Sequence, residues 1–280
     1  MTSFPLPPAP TAVITGAAAG IGLAAAKAFA AKGANICIVD LGADRLEKAA
    51  AEIIAAYPDI EVMTSETDVS DRKVVEAMEQ AVADRFGGTD ILINNAGIQP
   101  GSAMFSPFDN WQRILNVNLW GIINGSQVFA PRMMERGRVG MIINTGSKQG
   151  ITMPPGDPAY NVAKSGVKTF TEALQHEFRN TAPHLTAHLL IPGFVYTDLT
   201  KGERTEKPDA AWTPEQTVDF MMDSLDSGDF YILCPDNDVS RELDEKRILW
   251  AAGDITENRA PLSRWHPDYD EAFAKYLKES

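Results

Sequence analysis

A tyrosine and a lysine lie one helical turn apart in the segment AYNVAKSG, residues 159–166. A helix would place Tyr160 and Lys164 on one face, because side chains four positions apart are neighbours. A phenol is too weakly acidic at neutral pH to serve as a base, and a nearby ammonium favours its ionised form. The pair could therefore carry a proton. The same spacing is also common on solvated helices without chemical meaning, so the rest of the chain must decide.

The composition is that of a protein with a large core. The chain has 280 residues, of which 44% are hydrophobic, and no linker divides it, so we expect a single domain over residues 1–280. Its apolar runs are interrupted well before the roughly 18 residues that a membrane span requires. The N-terminus lacks a basic and apolar leader, and residues 1–10 are expected to form an extended lead. These features predict a soluble, cytoplasmic protein.

Charge, histidine and cysteine usage exclude several classes of function. A formal net charge of −13 would repel nucleic acid and anionic membranes, so neither is expected as a partner. The four histidines form no HExxH pattern and accompany no cysteine cluster, so we expect no metal site. Cys37 and Cys234 lie inside apolar runs and are expected to be buried, reduced thiols.

Short apolar runs alternate with helical patterns along most of the chain, as in TAVITG at 11–16 and DILINNAG at 90–97. Strands that are apolar throughout and separated by helices predict βαβ units and a parallel sheet covered on both faces. The predicted fold class is therefore α/β, with a doubly wound, mostly parallel central sheet. Residues 198–214 are predicted to be a polar loop, either a lid over a substrate or a plain surface connection. Residues 236–280 form a C-terminal extension that is too aromatic to be wholly disordered.

A glycine-rich segment, TGAAAGIG at 15–22, joins the first predicted strand to the first helix. Such a turn lets backbone N–H groups face a pyrophosphate, although it could also serve only close packing of helix against strand. Asp40 ends the next strand, where a carboxylate can accept hydrogen bonds from the adenosine ribose and repel a 2′-phosphate. Neither Ala19 nor Leu41 supplies a cation for such a phosphate, so the sequence favours NAD(H) over NADP(H).

Together these segments resemble the short-chain dehydrogenase/reductase family, in its single-domain form, from about residue 11 to about residue 200. The resemblance implies a three-layer Rossmann fold and hydride transfer between NAD(H) and a secondary alcohol or ketone. It is carried by the glycine segment, DV at 68–69, NNAG at 94–97, Asn118 in NVNLWG, Ser147 in NTGS, YNVAK at 160–164 and PGFVYT at 192–197.

The resemblance implies roles for four catalytic residues. Tyr160 would take the hydroxyl proton during oxidation and return it during reduction, while Lys164 would favour the phenolate and hold the nicotinamide ribose. Ser147 would hydrogen-bond the substrate oxygen. Asn118 would hold a water that links Lys164 to solvent, although an asparagine in an apolar helix could equally be a structural hydrogen-bonding group.

Binding residues follow from the same resemblance and from position. The expected cofactor-binding residues are Gly16, Ala19, Gly20, Ile21, Gly22, Asp40, Leu41, Asp68, Val69, Asn95, Ala96, Gly97, Tyr160, Lys164, Pro192, Gly193, Val195 and Thr197. The expected substrate-binding residues are Ser147, Gln149, Met153, Phe194 and Trp212. The apolar members of the second set favour an aromatic or cyclic substrate, whereas Lys148 could either grip an anion or be solvated.

Two features depart from the family pattern. Gly146 precedes Ser147 where many members have a small hydroxyl residue, and the C-terminal extension continues where tetrameric members often stop. We expect a homodimer formed through the helices that follow Asn118 and Tyr160, with a tetramer as the rival. The alternative functions are an NADPH-dependent carbonyl reductase, which Asp40 disfavours, and a non-catalytic dinucleotide sensor, which the intact catalytic positions disfavour.

Overall fold

Seven parallel strands form one central sheet in the computed structural model, which describes residues 6–279. The spatial order of the strands is β3-β2-β1-β4-β5-β6-β7, and every neighbouring pair is parallel. This arrangement confirms the predicted doubly wound α/β fold. The strands are β1 (Thr11–Thr15), β2 (Asn35–Asp40), β3 (Val62–Glu66), β4 (Ile91–Asn94), β5 (Gly140–Thr145), β6 (Leu185–Ile191) and β7 (Tyr231–Leu233).

Helices alternate with these strands along the described residues. Residues 1–5 of the predicted N-terminal lead lie outside that description, while Leu6 packs against the core. The α-helices are α1 (Gly20–Ala31), α2 (Ala43–Ala56), α3 (Arg72–Phe86), α4 (Phe108–Leu115), α5 (Gly121–Arg136), α6 (Gln149–Thr152), α7 (Pro158–Thr181), α8 (Pro214–Ser227), α9 (Arg241–Thr256) and α10 (Asp270–Glu279).

Side chains of the strands alternate between two separate cores. On β1, Ala12 and Ile14 pack with side chains of α1, α2 and α8, whereas Val13 packs with side chains of α3, α5 and α7. Successive residues of a strand point to opposite faces, so a sheet covered on both faces needs apolar residues at every position. This requirement explains why the strands are recognisable as uninterrupted apolar runs.

A buried polar network links the centre of the sheet to α5 and α7. Asn94 Nδ2 donates to Asn144 Oδ1 at 2.9 Å and to Ser126 Oγ at 3.1 Å. Asn144 Nδ2 in turn donates to Thr171 Oγ1 on α7 at 3.1 Å. Because Asn144 and Thr171 are fully buried, water cannot replace a lost partner. The network therefore fixes α7, which carries Tyr160 and Lys164, to the end of β5.

The long helix predicted around Asn118 is interrupted by a π-helical turn, Asn116–Trp120, between α4 and α5. Single π-helical turns inside helices are found preferentially at functional sites. Asn118 Nδ2 donates to the Ile98 carbonyl at 2.7 Å, and the Ile98 N–H donates to Asn118 Oδ1 at 2.9 Å. These two bonds join the irregular turn to the loop that leaves β4.

The predicted loop and the C-terminal extension differ in structure. Residues 198–210 contain no helix or strand, and Trp212 pairs with Val195 in an isolated bridge. Beyond β7, α9 and α10 pack together around Trp250, which is buried. The Arg259 guanidinium lies 4.1 Å from the centre of the Trp250 ring, and Trp250 Nε1 donates to Ser263 Oγ at 2.7 Å. The C-terminal extension therefore has an ordered core of its own.

Replacing Asn144 with alanine should destabilise the protein by about 2 kcal/mol, because it removes hydrogen-bonding partners from buried groups of Asn94 and Thr171. Urea unfolding monitored by circular dichroism measures the change. Asn180→Ala, on the exposed end of α7, is the matched control and should change the free energy of unfolding by less than about 0.5 kcal/mol. Equal effects of the two substitutions would contradict the role given to the buried network.

Candidate active site

The candidate site lies where the order of strands reverses, between β1 and β4. In open α/β sheets, ligands bind at the carboxyl ends of the strands at this point, because the loops leaving the two strands diverge there. Here the loop after β1 carries Gly16, and the loop after β4 carries Asn95 to Gly97. The glycine-rich segment and NNAG are thus brought side by side.

Thr15 connects these two loops. Its Oγ1 accepts hydrogen bonds from the N–H groups of Asn95 at 2.9 Å and Ala96 at 3.0 Å. Asn95 Nδ2 donates back to the Thr15 carbonyl at 3.1 Å. Gly16, at φ 66°, has no room for a side chain, since a Cβ would lie 2.8 Å from the Ala96 Cα. Both its conformation and this close approach require glycine.

Most of the predicted cofactor residues line one cavity of about 430 Å³ at the N-terminus of α1. Gly22 lines neither this cavity nor its neighbour, because it packs inside the first turn of α1 against the Gly16 backbone. The absence of side chains at Gly16 and Gly20 and the free N-terminal turn of α1 suit a pyrophosphate, so the residues present fit a dinucleotide. The lining includes Gly16, Ala19, Gly20, Ile21, Asp40, Leu41, Asp68, Val69, Asn95, Ala96, Gly97 and Thr197.

Asp40 and Arg45 face the outer end of this cavity with opposite charges. The Asp40 carboxylate accepts hydrogen bonds from the Ala18 N–H at 3.0 Å and the Leu41 N–H at 2.7 Å, which fix its position. Arg45 was missed by the sequence analysis, which considered only the residues adjacent to the glycine segment and to Asp40. It lies five residues beyond Asp40, in the first turn of α2, and the turn at Gly42 brings it back to the cavity.

A second cavity of about 460 Å³ holds the predicted catalytic residues Ser147, Tyr160 and Lys164. It shares Ile21, Asn95, Gly97 and Thr197 with the first cavity, so the two are neighbours along one groove. The predicted residues Gln149, Pro192, Gly193, Phe194 and Val195 also line it. A dinucleotide with its phosphates at α1 would extend toward Tyr160.

Tyr160 and Lys164 are almost completely buried in α7. The Ser147 and Tyr160 side chains line the same cavity, and the Lys164 Nζ lies 5.6 Å from the centre of the Tyr160 ring and donates to the Thr145 carbonyl at 2.7 Å. Burial raises the pKa of Tyr160 to about 12 despite the opposing effect of the Ser147 hydroxyl, and the Asp157 charge adds to the rise. Burial lowers the pKa of Lys164 to about 8. The expected lowering of the tyrosine pKa is therefore absent here, because desolvation is the largest effect on the phenol.

Two predicted substrate residues lie outside this cavity. Met153 adopts a left-handed conformation after α6 and lies, 43% exposed, in a separate groove beside Val162. Trp212 packs against Phe220, with ring centres 5.9 Å apart, and its Nε1 donates to Asn237 Oδ1. The spacing of these residues in the sequence did not reveal these positions.

The structure adds residues to the site and assigns partners to Lys148. Asp157, just before α7, accepts hydrogen bonds from Ser102 Oγ and Gln99 Nε2, and its charge acts on Tyr160. Lys148 Nζ lies 2.6 Å from Asp244 Oδ2 and 3.4 Å from Asp236 Oδ2, so it is paired rather than solvated. Arg247, Arg264 and Trp265 of the C-terminal extension also line the cavity. No local motif marks the three residues of the C-terminal extension, because they are distant from Tyr160 in the chain.

Other features of the described residues bear on the sequence analysis. Cys37 and Cys234 are free and buried, as predicted, and burial raises the pKa of each to about 12. Within residues 6–279, no group of three or more His, Cys, Asp or Glu side chains is arranged to hold a metal ion. None of the helices in that range is both long and apolar enough to cross a membrane.

Sequence and structure comparisons place this site in a known class of oxidoreductases. A family model described as short chain dehydrogenase matches residues 10–208. The 1-deoxy-11-beta-hydroxypentalenate dehydrogenase of Streptomyces exfoliatus is 30% identical over 245 residues, which are 85% of this chain and 88% of that protein. The D-beta-hydroxybutyrate dehydrogenase of Rhizobium meliloti (strain 1021) is 35% identical over 217 residues, which are 76% of this chain and 82% of that protein.

A solved structure agrees with these matches. The short chain dehydrogenase/reductase from Burkholderia phymatum in complex with NAD superposes with a TM-score of 0.81 at 28% identity, covering 93% of this chain and 98% of that chain. The fold and the site thus define a nicotinamide-dinucleotide oxidoreductase that acts on hydroxyl groups. The chain belongs to the short-chain dehydrogenase/reductase family.

Replacing Lys148 with methionine should destabilise the protein by about 3 kcal/mol at pH 8, because it leaves the Asp236 and Asp244 carboxylates buried without their cation. Burial already raises the pKa of Asp244, and Lys148 opposes that rise. A carboxyl with a higher pKa in the folded than in the unfolded state stabilises the fold as pH falls through that pKa. The cost of the substitution should therefore shrink between pH 8 and pH 5, as measured by urea unfolding.

Lys201→Met is the control for this substitution, since Lys201 is exposed and pairs only with Asp198 on the loop surface. It should leave the pH dependence of stability unchanged. A cost of Lys148→Met that stays constant across this pH range would contradict the assigned pairing.

Proposed function

We propose that this protein is an NAD(H)-dependent dehydrogenase of secondary alcohols that also reduces the corresponding ketones. The observation that carries the proposal is that Ser147, Tyr160 and Lys164 line one cavity, which adjoins the cavity at the N-terminus of α1. These groups suit a reaction in which a hydroxyl proton and a hydride leave the same carbon centre. A bound nicotinamide supplies what the side chains lack, which is the acceptance or delivery of the hydride.

Ser147 and Tyr160 have different roles at the substrate oxygen. Ser147 positions that oxygen by a hydrogen bond, and Tyr160 exchanges the proton with it. With a pKa near 12, Tyr160 is protonated at neutral pH and ready to donate to a ketone. Removing a proton from an alcohol becomes easier at higher pH, so oxidation should be favoured in alkaline solution.

Lys164 acts at the inner end of the same helical face. Its pKa of about 8 allows it to exist in both protonation states near physiological pH, so it can pass a proton as well as stabilise a phenolate. Its Nζ is held by the Thr145 carbonyl, on the side where the nicotinamide ribose would lie. Asn118 contributes by fixing the loop at Ile98, and a water at the π-helical turn would continue the proton path.

The preference for NAD(H) is assigned to Asp40. Its carboxylate is held at the outer end of the cavity, where it would accept hydrogen bonds from the adenosine ribose and repel a 2′-phosphate. Arg45 opposes this preference, because its guanidinium could pair with such a phosphate. An NADPH-dependent carbonyl reductase is therefore the second candidate function, and Arg45 is the observation that favours it.

The proposal also covers the substrate class, the oligomeric state and the location of the protein. The hydroxybutyrate and hydroxypentalenate dehydrogenases are named for hydroxyl-bearing substrates, which favours a secondary alcohol here. The exposed apolar side chains of Trp120 and Val162 favour a homodimer through the helices that follow Asn118 and Tyr160. A cytoplasmic location agrees with the two reduced thiols.

Replacing Tyr160 with phenylalanine should lower kcat by at least about 100-fold, because it removes only the proton-carrying hydroxyl. NADH binding, followed by fluorescence, should persist. Activity is measured by NADH absorbance with a panel of secondary alcohols and ketones. Tyr231→Phe, on the partly exposed strand β7, is the control and should retain full turnover. Substantial activity in Tyr160→Phe would reject the acid–base role.

Charge substitutions at the outer end of the cavity test the nucleotide preference. Asp40→Asn should reduce the preference for NADH over NADPH by about tenfold, which corresponds to about 1.4 kcal/mol. Arg45→Gln should increase it, because the cation that attracts a 2′-phosphate is removed. Dissociation constants from NADH and NADPH fluorescence give the ratio, with Glu47→Gln on the exposed face of α2 as the control. If Asp40→Asn leaves the ratio unchanged, the assigned role of Asp40 is wrong.

A further inference from the structure

The C-terminal extension forms one wall of the cavity that contains Tyr160. The loop after β7 contributes Asp236 and Val239, helix α9 contributes Asp244 and Arg247, and the following turn contributes Arg264 and Trp265. Four of these six side chains are ionisable. The wall opposite the catalytic residues is therefore charged, in contrast to the apolar pocket that the sequence favoured.

The two carboxylates of this wall are already committed to Lys148. Asp244 and Asp236 both lie within ion-pair distance of its ammonium, at 2.6 Å and 3.4 Å. Asp236 also accepts a hydrogen bond from the Phe194 N–H at 3.1 Å, which fixes it against the loop after β6. Lys148 is consequently not a free cation that could grip a substrate.

The two arginines of the wall lack comparable partners. Neither guanidinium forms an ion pair with a carboxylate in the part of the chain that the structure describes. The Nε of Arg247 is buried without a hydrogen-bonding partner. Arg264 lies over aromatic rings instead, 4.7 Å from the centre of Trp265 and 5.6 Å from that of Phe273. Buried donors without acceptors are rare in folded proteins, so this pair is prepared for an anion from outside the chain.

The charges around the two arginines also favour binding of an anion. Burial first, and then the charge of Arg247, lower the pKa of Arg264 to about 10, while the charge of Asp244 acts in the opposite direction. Lys148, Arg247 and Arg264 provide three positive charges, and Asp236 and Asp244 provide two negative charges. A single negative charge placed between the arginines would balance the group and relieve the repulsion.

The dinucleotide does not supply this charge in the arrangement proposed above. Its phosphates would lie at the N-terminus of α1, in the first cavity, which contains neither Arg247 nor Arg264. Both arginines share the second cavity with Ser147 and Gln149, on the substrate side of Tyr160. The anion is therefore expected on the substrate.

We propose that the substrate is a hydroxy acid or oxo acid, whose carboxylate binds Arg247 and Arg264 while its alcohol or ketone oxygen lies against Ser147 and Tyr160. This inference rests on the proposed function and names its substrate class. A carboxylate matches the single unbalanced charge and the planar, two-donor geometry of a guanidinium. Pro154 and Phe194 line the same cavity and suit an apolar chain between the two polar ends.

Matched pairs of compounds test this substrate class. One pair is racemic 3-hydroxybutyrate with its methyl ester, and the other is racemic 3-hydroxy-3-phenylpropionate with its methyl ester. The holoenzyme with NAD should show a kcat/KM at least about tenfold higher for the acid of one pair, because a charge-assisted hydrogen bond is lost in the ester. The phosphonate 2-hydroxypropylphosphonate, a dianion, should be poorer than 3-hydroxybutyrate.

Substitutions assign the effect to the arginines. Arg247→Gln and Arg264→Gln should each raise KM for the preferred acid at least about tenfold and leave KM for its ester unchanged. Arg264→Lys should restore part of the affinity, because it returns the charge without the fork of donors. Arg241→Gln, which removes an exposed cation from the same helix, is the control and should behave as the wild type. Circular dichroism establishes that each variant is folded.

A binding measurement separates failure of this inference from failure of the proposed function. Calorimetry with the Tyr160→Phe variant loaded with NAD measures binding of the same acids without turnover. Binding that is weakened by the arginine substitutions supports the inference even if the wild type does not turn over the acids. Esters used as well as acids, a preference for the phosphonate, or arginine variants that bind the acids like the wild type would each overturn it.

Discussion

The hydrogen bonds around Thr15 are the constraint on which the rest of the site depends. One hydroxyl accepts from the N–H groups of Asn95 and Ala96 and donates to the Ile93 carbonyl at 3.4 Å. It thereby fixes the distance between the loops that leave β1 and β4, where the groove begins. Gly16 can approach Ala96 so closely only because it has no side chain. This junction therefore sets the width of the cavity at the N-terminus of α1.

Burial is the second physical factor, and it sets the chemistry of Tyr160 and Lys164. In water, the pKa of a lysine ammonium is only slightly above that of a tyrosine phenol. Desolvation disfavours the charged form of both groups, so it raises the pKa of the tyrosine and lowers that of the lysine. The pKa of Tyr160 rises to about 12 while that of Lys164 falls to about 8. The neutral pair is thus stabilised in this structure. Ionising Tyr160 requires additional polar groups on its exposed side, which only a substrate and a dinucleotide can bring.

The sequence predicted the sheet and the inner site because the signals for both are local. Apolar strands that alternate with helices indicate a parallel sheet with helices on both faces. Gly16, Asp40, Ser147 and Tyr160 each lie near the end of a strand or the start of a helix. Met153 and Trp212 lie outside the cavity that holds Tyr160, because Met153 is in a left-handed turn after α6 and Trp212 packs against Phe220. The π-helical turn at Asn118 is likewise set by a tertiary contact with Ile98.

The sequence could not identify Arg247 and Arg264 as cavity residues, because their position at the cavity depends on how the extension packs against the rest of the protein. Asp236 forms that connection by accepting from the Phe194 N–H and pairing with Lys148, and Gly193 leaves room for its carboxylate, which a Cβ there would approach to 2.7 Å. Once Asp236 is fixed, a short loop leads from β7 into α9, and the turn before α10 returns Arg264 to the cavity. The extension therefore contributes two guanidinium groups to the cavity that holds Tyr160. In the proposed reaction, these groups bind the carboxylate of the substrate, while Ser147 and Tyr160 contact its alcohol or ketone oxygen.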